Sequence, residues 1–226
     1  WSFSNLRLFN INQSDGTLTA STVITGSNVV AAAYSANDVA ISGSGSSTTG
    51  ITASGNVTLV AGGTLSQSAA ISGGLLTTSS VGGTTLNLAN TVSSFNATNT
   101  GSGNISLTNT AAPLTITGIS QAGGGDVTVS NTGTITTSGS ITTAASGNIS
   151  LTATGGDVNI TNSTVSSAGA VTVSGTDLNV VSTSAQARLQ GASINATMTG
   201  DVNVTASGSG AAGILSSPGL QEITAV

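Results

Sequence analysis

The chain contains a six-residue stretch, Gly103-Asn104-Ile105-Ser106-Leu107-Thr108, that recurs three times at intervals of 22 residues. In each copy a glycine is followed by a small residue, a β-branched residue, a hydroxyl residue, an aliphatic residue and a second hydroxyl residue. No insertion disturbs the spacing. The three further copies are Gly125-Asp126-Val127-Thr128-Val129-Ser130, Gly147-Asn148-Ile149-Ser150-Leu151-Thr152 and Gly169-Ala170-Val171-Thr172-Val173-Ser174.

The alternation of aliphatic and hydroxyl residues inside each copy predicts a short β-strand, because side chains two apart lie on one face of a strand. Strands joined as hairpins would not bring equivalent positions together. In a parallel coil each residue stacks on the residue one period later, so like lies on like. We therefore predict an all-β protein, a right-handed parallel β-helix of about 22 residues per coil. The length predicts roughly ten coils and a rod of about 50 Å.

Further columns predict two more strands in each coil. The spacing between equivalent positions loosens before residue 103 and after residue 182, which predicts a 1–35 N-terminal cap or leading segment, a 36–206 β-helix shaft and a 207–226 C-terminal cap or linker. Before residue 103 the predicted pairs are Val39/Ile41 with Val57/Leu59, then Leu65 with Leu86 and Ile71 with Val92. The columns that predict the second strand are Leu114/Thr136/Val158/Val180 and Ile116/Ser138/Ile160/Ser182, and the column that predicts the third is Ile119/Ile141.

Composition excludes several classes of function. The 226 residues include no Lys, His or Cys and only two arginines, with a net charge of −5. A chain with two cations cannot neutralise a nucleic-acid backbone, and it offers little to an anionic membrane surface. Without Cys or His it has neither disulfides nor the commonest metal ligands and general bases. No apolar run approaches a membrane span. A chain that begins at Trp1 is expected to be a trimmed piece of a longer protein.

The abundance of Ser and Thr, 75 of the 226 residues, does not predict disorder here. Disordered chains combine low hydrophobicity with high net charge, whereas 37% of this chain is hydrophobic and 4% is charged. The hydroxyl residues alternate with the aliphatic ones, so they are predicted to coat the outside of the rod.

The repeated columns Gly-[Asn/Asp]-[Ile/Val]-[Ser/Thr]-[Leu/Val]-[Ser/Thr] resemble the shaft repeats of filamentous haemagglutinin-type adhesins, the exoproteins of bacterial two-partner secretion. The resemblance extends over about residues 36–206 and includes the Lys-poor, Cys-free composition. It implies a β-helix, an extracellular or bacterial cell-surface location, and a role in adhesion or matrix structure. The Asn-Pro-Asn-type motifs of the family's secretion domain are missing here, since the only prolines are Pro113 and Pro218. The resemblance is therefore to the shaft.

The alternative function is that of a polysaccharide-binding or polysaccharide-degrading β-helix enzyme. Such a site needs two or three acids beside a basic residue on one face. Asp157 and Asp177 are predicted to approach each other on adjacent coils, and Arg188 could serve only with Asp177 or Asp201. Most of the aspartates, however, precede a valine at a strand start, where Asn stands in other copies. There an Asx side chain is predicted to bond its own turn. We therefore predict no enzyme, with no catalytic, cofactor-binding or metal residues.

The two ends of the chain are more apolar than the shaft. The stretch Gly123-Gly124-Gly125-Asp126 is faintly similar to calcium-binding nonapeptide repeats, but a 22-residue period disfavours them. We expect partners at the two ends of the chain. They would be either another copy, joined end to end, or flanking coils of a longer chain. A surface or glycan receptor is a further candidate partner. The predicted structural ladder is Gly103, Gly125, Gly147, Gly169, Ile105, Val127, Ile149 and Val171, and the predicted end contacts are Leu6, Leu8, Ile11, Leu215 and Leu220. The expected function is that of an extracellular structural or adhesive β-solenoid that forms a stalk, a fibre or a self-assembling filament.

Overall fold

The structure, a computed structural model, consists of β-strands and the turns between them, with no helix among the residues it describes. No described segment could cross a bilayer as a helix. The backbone is described for residues 2–8, 24–32, 35–36, 39–49, 51–53, 55–67, 70–207, 211–216, 219 and 221–225. Side chains are described for residues 51, 53, 55–67, 70–207, 211–214, 219 and 221–225.

Twenty-four strands are formed by these residues, and all their pairings are parallel. They are β1 (Ser2–Leu8), β2 (Ile24–Ala32), β3 (Ser35–Ala36), β4 (Val39–Thr49), β5 (Ile51–Ala53), β6 (Val57–Ala61), β7 (Leu65–Gln67), β8 (Ile71–Ser80), β9 (Thr84–Asn99), β10 (Ile105–Asn109), β11 (Leu114–Gln121), β12 (Val127–Asn131), β13 (Ile135–Thr137), β14 (Ile141–Thr143), β15 (Ile149–Ala153), β16 (Val158–Thr161), β17 (Thr164–Ser166), β18 (Ala170–Gly175), β19 (Leu178–Ser182), β20 (Ala187–Gly191), β21 (Ser193–Met198), β22 (Val202–Ala206), β23 (Ala212–Ser216) and β24 (Gln221–Thr224).

Each coil from residue 105 onward contributes one strand to each of three faces. The first face contains β10, β12, β15, β18, β21 and β24. The second face contains the first half of β11 and then β13, β16, β19 and β22. The third face contains the second half of β11 and then β14, β17, β20 and β23. The predicted parallel β-solenoid is therefore confirmed, and its hand stays a prediction.

The register of the first face defines the coils. Seven coils of roughly 22 residues lie between Leu65 and Gln221, through the successive partners Thr84, Ile105, Val127, Ile149, Val171 and Ile194. Parallel pairing continues towards the N-terminus from Leu65 to Ser46, Val29 and Leu6, at spacings between 17 and 23 residues. The predicted boundaries at residues 35/36 and 206/207 stay predictions.

The register predicted for the second strand of each coil is wrong. Leu114 pairs with Ile135 and not with Thr136, and Val158 pairs with Leu178 and not with Val180. The reason is the turn that precedes this strand, which has four residues after β10, three after β12, four after β15 and two after β18.

A second set of predicted columns and two earlier pairings are also corrected. The partners of Ile116 are Thr137, Ile160 and Val180 in turn. Leu65 faces Thr84, two residues before the predicted Leu86. Val92 pairs with Gly73, whereas the sequence predicts that it pairs with Ile71. The pairing of Ile119 with Ile141 is confirmed.

The core is a column of aliphatic side chains that all three faces direct inward. Strand β10 shows the alternation, with Ile105 and Leu107 buried and Ser106 and Thr108 between them partly exposed. Among the described side chains, the largest that is fully buried is Phe95. A buried aliphatic side chain contributes about 1.5–3 kcal/mol before conformational entropy. The coil is therefore held by the inward positions, and the outward positions are free to carry polar groups.

Candidate functional site

The aliphatic members of the predicted ladder lie directly opposite one another on the first face. Ile105 pairs with Val127, Val127 with Ile149, and Ile149 with Val171. All four side chains are buried, the most exposed at 1%. Because the spacing is the same in these coils, each β-branched side chain packs on its equivalent in the next coil.

The glycines of the ladder form a tightly packed corner just before the first face. A Cβ atom added to Gly125 would overlap the carbonyl oxygen of Gly103, and one added to Gly147 would overlap the carbonyl oxygen of Gly125. A Cβ on Gly169 would lie 2.8 Å from the oxygen of Gly147. Gly103 also has a φ of 115°, in the region that favours glycine. Close backbone approach between coils therefore explains this column.

The Asn and Asp residues that follow the glycines link one coil to the next. The Asn104 side-chain oxygen accepts the backbone N–H of Asp126 at 2.9 Å, and Asp126 accepts the N–H of Asn148 at 2.8 Å. Asn148 in turn accepts the N–H of Ala170 at 2.8 Å. The prediction that these side chains bond their own turn is wrong, because each of these oxygens accepts an amide of the next coil instead. Each such bond contributes on the order of 1 kcal/mol net.

A column of aspartates at the start of the second face uses the same bond. Asp157 accepts the backbone N–H of Asp177 at 3.2 Å, and Asp177 accepts that of Asp201 at 2.8 Å. The predicted approach of Asp157 and Asp177 thus occurs, in one column rather than two positions apart. No group of three or more His, Cys, Asp or Glu residues that could hold a metal ion is formed by the described residues.

Arg188 lies away from these aspartates. It belongs to β20 on the third face, and its guanidinium donates to Gln190 Oε1 at 3.2 Å. The aspartate column precedes the second-face strands β16, β19 and β22.

Buried amides at the corner between the first and second faces were missed from the sequence. Asn109 Oδ1 accepts the N–H of Val92 at 2.9 Å, and Asn109 Nδ2 donates to the carbonyl of Val92 and to Asn131 Oδ1, each at 3.0 Å. Asn131 Nδ2 donates to the carbonyl of Ala111 at 2.8 Å. Both side chains are 1% exposed. Their 22-residue spacing was the signal that could have identified them.

A second buried amide pair supports the glycine corner. Asn99 Nδ2 donates to the carbonyl of Gly103 at 3.1 Å and to Gln121 Oε1 at 3.2 Å. Gln121 Nε2 also donates to the Gly103 carbonyl, and Gln121 Oε1 accepts the N–H of Gly123 at 2.9 Å. In this way polar side chains satisfy backbone groups that turns leave unpaired.

The outward side of the first face carries two neighbouring rows of hydroxyl groups. Strands β10, β12, β15 and β18 supply one hydroxyl residue to each row, and no charged residue occurs in these strands or in β21. The rows are Ser106/Thr128/Ser150/Thr172 and Thr108/Ser130/Thr152/Ser174.

None of the five predicted end contacts has a described side chain. Leu6 and Leu8 belong to β1 and Leu215 belongs to β23, and only their backbone is described. Ile11 and Leu220 lie outside the described residues. At the C-terminal end, the side chains of Val204 and Ile223 are 44% and 41% exposed. Their partners one coil earlier, Val180 and Ala196, are fully buried.

Comparison with protein-family models, curated proteins and solved structures finds no match to this chain. The likeness to filamentous haemagglutinin-type adhesins therefore remains a resemblance in repeat pattern and composition.

Proposed function

We propose that this protein is an extracellular structural or adhesive β-solenoid, a rod that serves as a stalk, a fibre or a filament subunit. The observation that carries the proposal is the uninterrupted stacking of coils, in which side-chain bonds such as Asp126 to Asn148 reinforce the backbone ladder. These bonds run along the rod, so they fix the distance between coils. A chain built this way keeps a constant separation between its ends.

The dimensions support a spacer. Seven coils at ~4.8 Å each span roughly 34 Å between Leu65 and Gln221. Each added coil lengthens the rod without changing its cross-section, and each coil contacts only its neighbours. A location outside the cell, at a bacterial surface, is favoured by the resemblance to adhesin shafts and by the Cys-free, charge-poor composition.

The exposed inward positions of the last coils support self-association or coverage by flanking coils. Val204 and Ile223 continue apolar columns that are buried one coil earlier. A further parallel coil placed on them would bury both side chains and extend the ladder. The partner in this proposal is either a second copy, end to end, or a neighbouring coil of a longer chain, and a glycan or surface receptor would bind elsewhere on the rod.

The placement of charges supports the rod over the polysaccharide-degrading alternative. A lyase or glycosidase needs acids and a basic residue converging on one substrate. Arg188 lies on the third face, whereas Asp157, Asp177 and Asp201 precede the second-face strands. Polygalacturonate turnover by the purified chain would contradict the proposal.

A coil-deletion experiment tests the rod directly. Deletion of residues 127–148 removes one period and joins Asp126 to Ile149, which restores the local sequence pattern. We expect a folded rod that is shorter by ~4.8 Å in small-angle X-ray scattering. The matched control removes only residues 127–137, which breaks the stacking of columns and should unfold the neighbouring coils. Equal stability of the two deletions, or a compact particle for the intact chain, would contradict the rod.

A further inference from the structure

The two outward rows on the first face form a regular, uncharged array of hydroxyl groups. Of the eight residues in these rows, Ser106 donates its hydroxyl to Asn87 Oδ1. We call the other seven the hydroxyl face, and they belong to four consecutive coils whose equivalent positions are each 22 residues apart. All are at least partly exposed. The residues of the hydroxyl face are Thr108, Thr128, Ser130, Ser150, Thr152, Thr172 and Ser174.

These seven hydroxyl groups make no hydrogen bond to any other described residue. The outward row of the third face, Ser120, Thr142 and Ser166, is unbonded as well, but the first face carries two such rows side by side. Other polar side chains of the coil are bonded. The Thr143 hydroxyl donates to the Gly147 carbonyl at 2.9 Å, and Asn179 donates to Asn159 Oδ1 at 2.8 Å along the second face. The hydroxyl face therefore keeps its donors and acceptors available to whatever lies against it.

The spacing of the hydroxyl groups is close to that of a tetrahedral water network. Neighbouring coils separate equivalent hydroxyls by ~4.8 Å, and two residues along a strand separate the rows by about 6.6 Å. Water oxygens bonded at about 2.75 Å place their tetrahedral second neighbours ~4.5 Å apart. The mismatch between the coil spacing and the water spacing adds up to only about 1 Å over the three steps between four coils.

The charge of the face selects a neutral partner. Strands β10, β12, β15, β18 and β21 contain no Asp, Glu, Lys or Arg. The Asp126 carboxylate lies just before β12, where it accepts the backbone and side-chain N–H groups of Asn148. The sequence also has no aromatic residue after Phe95. A sugar ring would therefore find no aromatic side chain to stack on here, whereas a lattice of water molecules needs only spaced hydroxyl groups.

We infer that the hydroxyl face binds the ordered water at the surface of ice. The neutral array matches a neutral lattice in spacing and offers it unbonded hydroxyls. This inference goes beyond the proposed function, because a rod that does not bind ice would still be a rod.

The test is to measure thermal hysteresis and the inhibition of ice recrystallisation by the full chain. Thr128→Lys places a long cation in the middle of the hydroxyl face, and Thr142→Lys places the same cation on the third face. Both threonines are exposed, so both variants should fold as the wild type does in circular dichroism. We expect at least a tenfold loss of both ice activities for Thr128→Lys and none for Thr142→Lys.

Three outcomes would overturn the inference. The first is that the wild type shows the same thermal hysteresis and the same inhibition of ice recrystallisation as serum albumin at equal concentration. The second is an equal loss of ice activity in both variants, because a charge on any face would then suffice. The third is retention on insoluble cellulose or chitin that is lost in Thr128→Lys, without any effect on ice, which would assign the face to a glycan surface.

Discussion

Replacing Ile149 by Ala tests which side of the first face is the inside. Ile149 is 1% exposed and lies between Val127 and Val171 of the adjacent coils. The substitution removes a fully buried side chain and leaves a cavity that the rigid coils on both sides cannot close. Such substitutions lower the free energy of unfolding by about 2–5 kcal/mol. Because a typical domain is stable by only about 5–15 kcal/mol, the effect is readily measurable.

The matched control is Ser150→Ala, one residue along the same strand. Ser150 points outward and has no described hydrogen bond, so its loss should change stability by no more than about 0.5 kcal/mol. The assay is urea-induced unfolding followed by circular dichroism. Hydrogen exchange at Val127 and Val171 should report the same difference locally, because each coil contacts only its neighbours. Equal stability of the two variants would refute the assignment of inside and outside.

Three further predictions concern the corners and the charges. Gly125→Ala should destabilise the protein by about 1–3 kcal/mol in urea unfolding, because the added Cβ overlaps the Gly103 carbonyl, and a variant as stable as the wild type would show that the corner can open. Asn109→Ala leaves the buried N–H and carbonyl of Val92 without their side-chain partner and should cost about 1–3 kcal/mol, whereas an unchanged melting temperature would mean that water replaces the amide. The melting temperature should be nearly constant between pH 5 and 9, because the chain has no His or Cys side chain to titrate there. Calorimetry that finds a large fall between pH 8 and 6 would contradict this.

The first-face register could be predicted from the sequence because nothing interrupts its period. Four coils of equal length place Ile105, Val127, Ile149 and Val171 in one column, and the structure pairs them in that order. The second face could not be predicted in the same way. Its strands follow turns of two to four residues, so a fixed period places Leu114 one residue away from its partner Ile135.

The corner chemistry was only partly visible in the sequence. The repeated Asn and Asp residues indicated a turn, but local turn chemistry suggested bonds within the turn. In a stacked coil the next coil's amide competes for the same oxygen, and Asp126 binds Asn148 in this way. The buried Asn109 and Asn131 were overlooked because amides are usually exposed, and only the stack shows that backbone groups surround them.

The most direct test of the parallel solenoid is a series of distances along one outward row. The chain has no native cysteine, so a spin label at Thr85→Cys can be paired with one at Ser150, Thr172, Asn195 or Glu222, each replaced by Cys in turn. These positions lie three, four, five and six coils from Thr85. Double electron–electron resonance should then give separations that rise in steps of ~4.8 Å, from about 14 Å to about 29 Å. Separations that fail to increase along the series, as in a sheet folded back through hairpins, would contradict the solenoid.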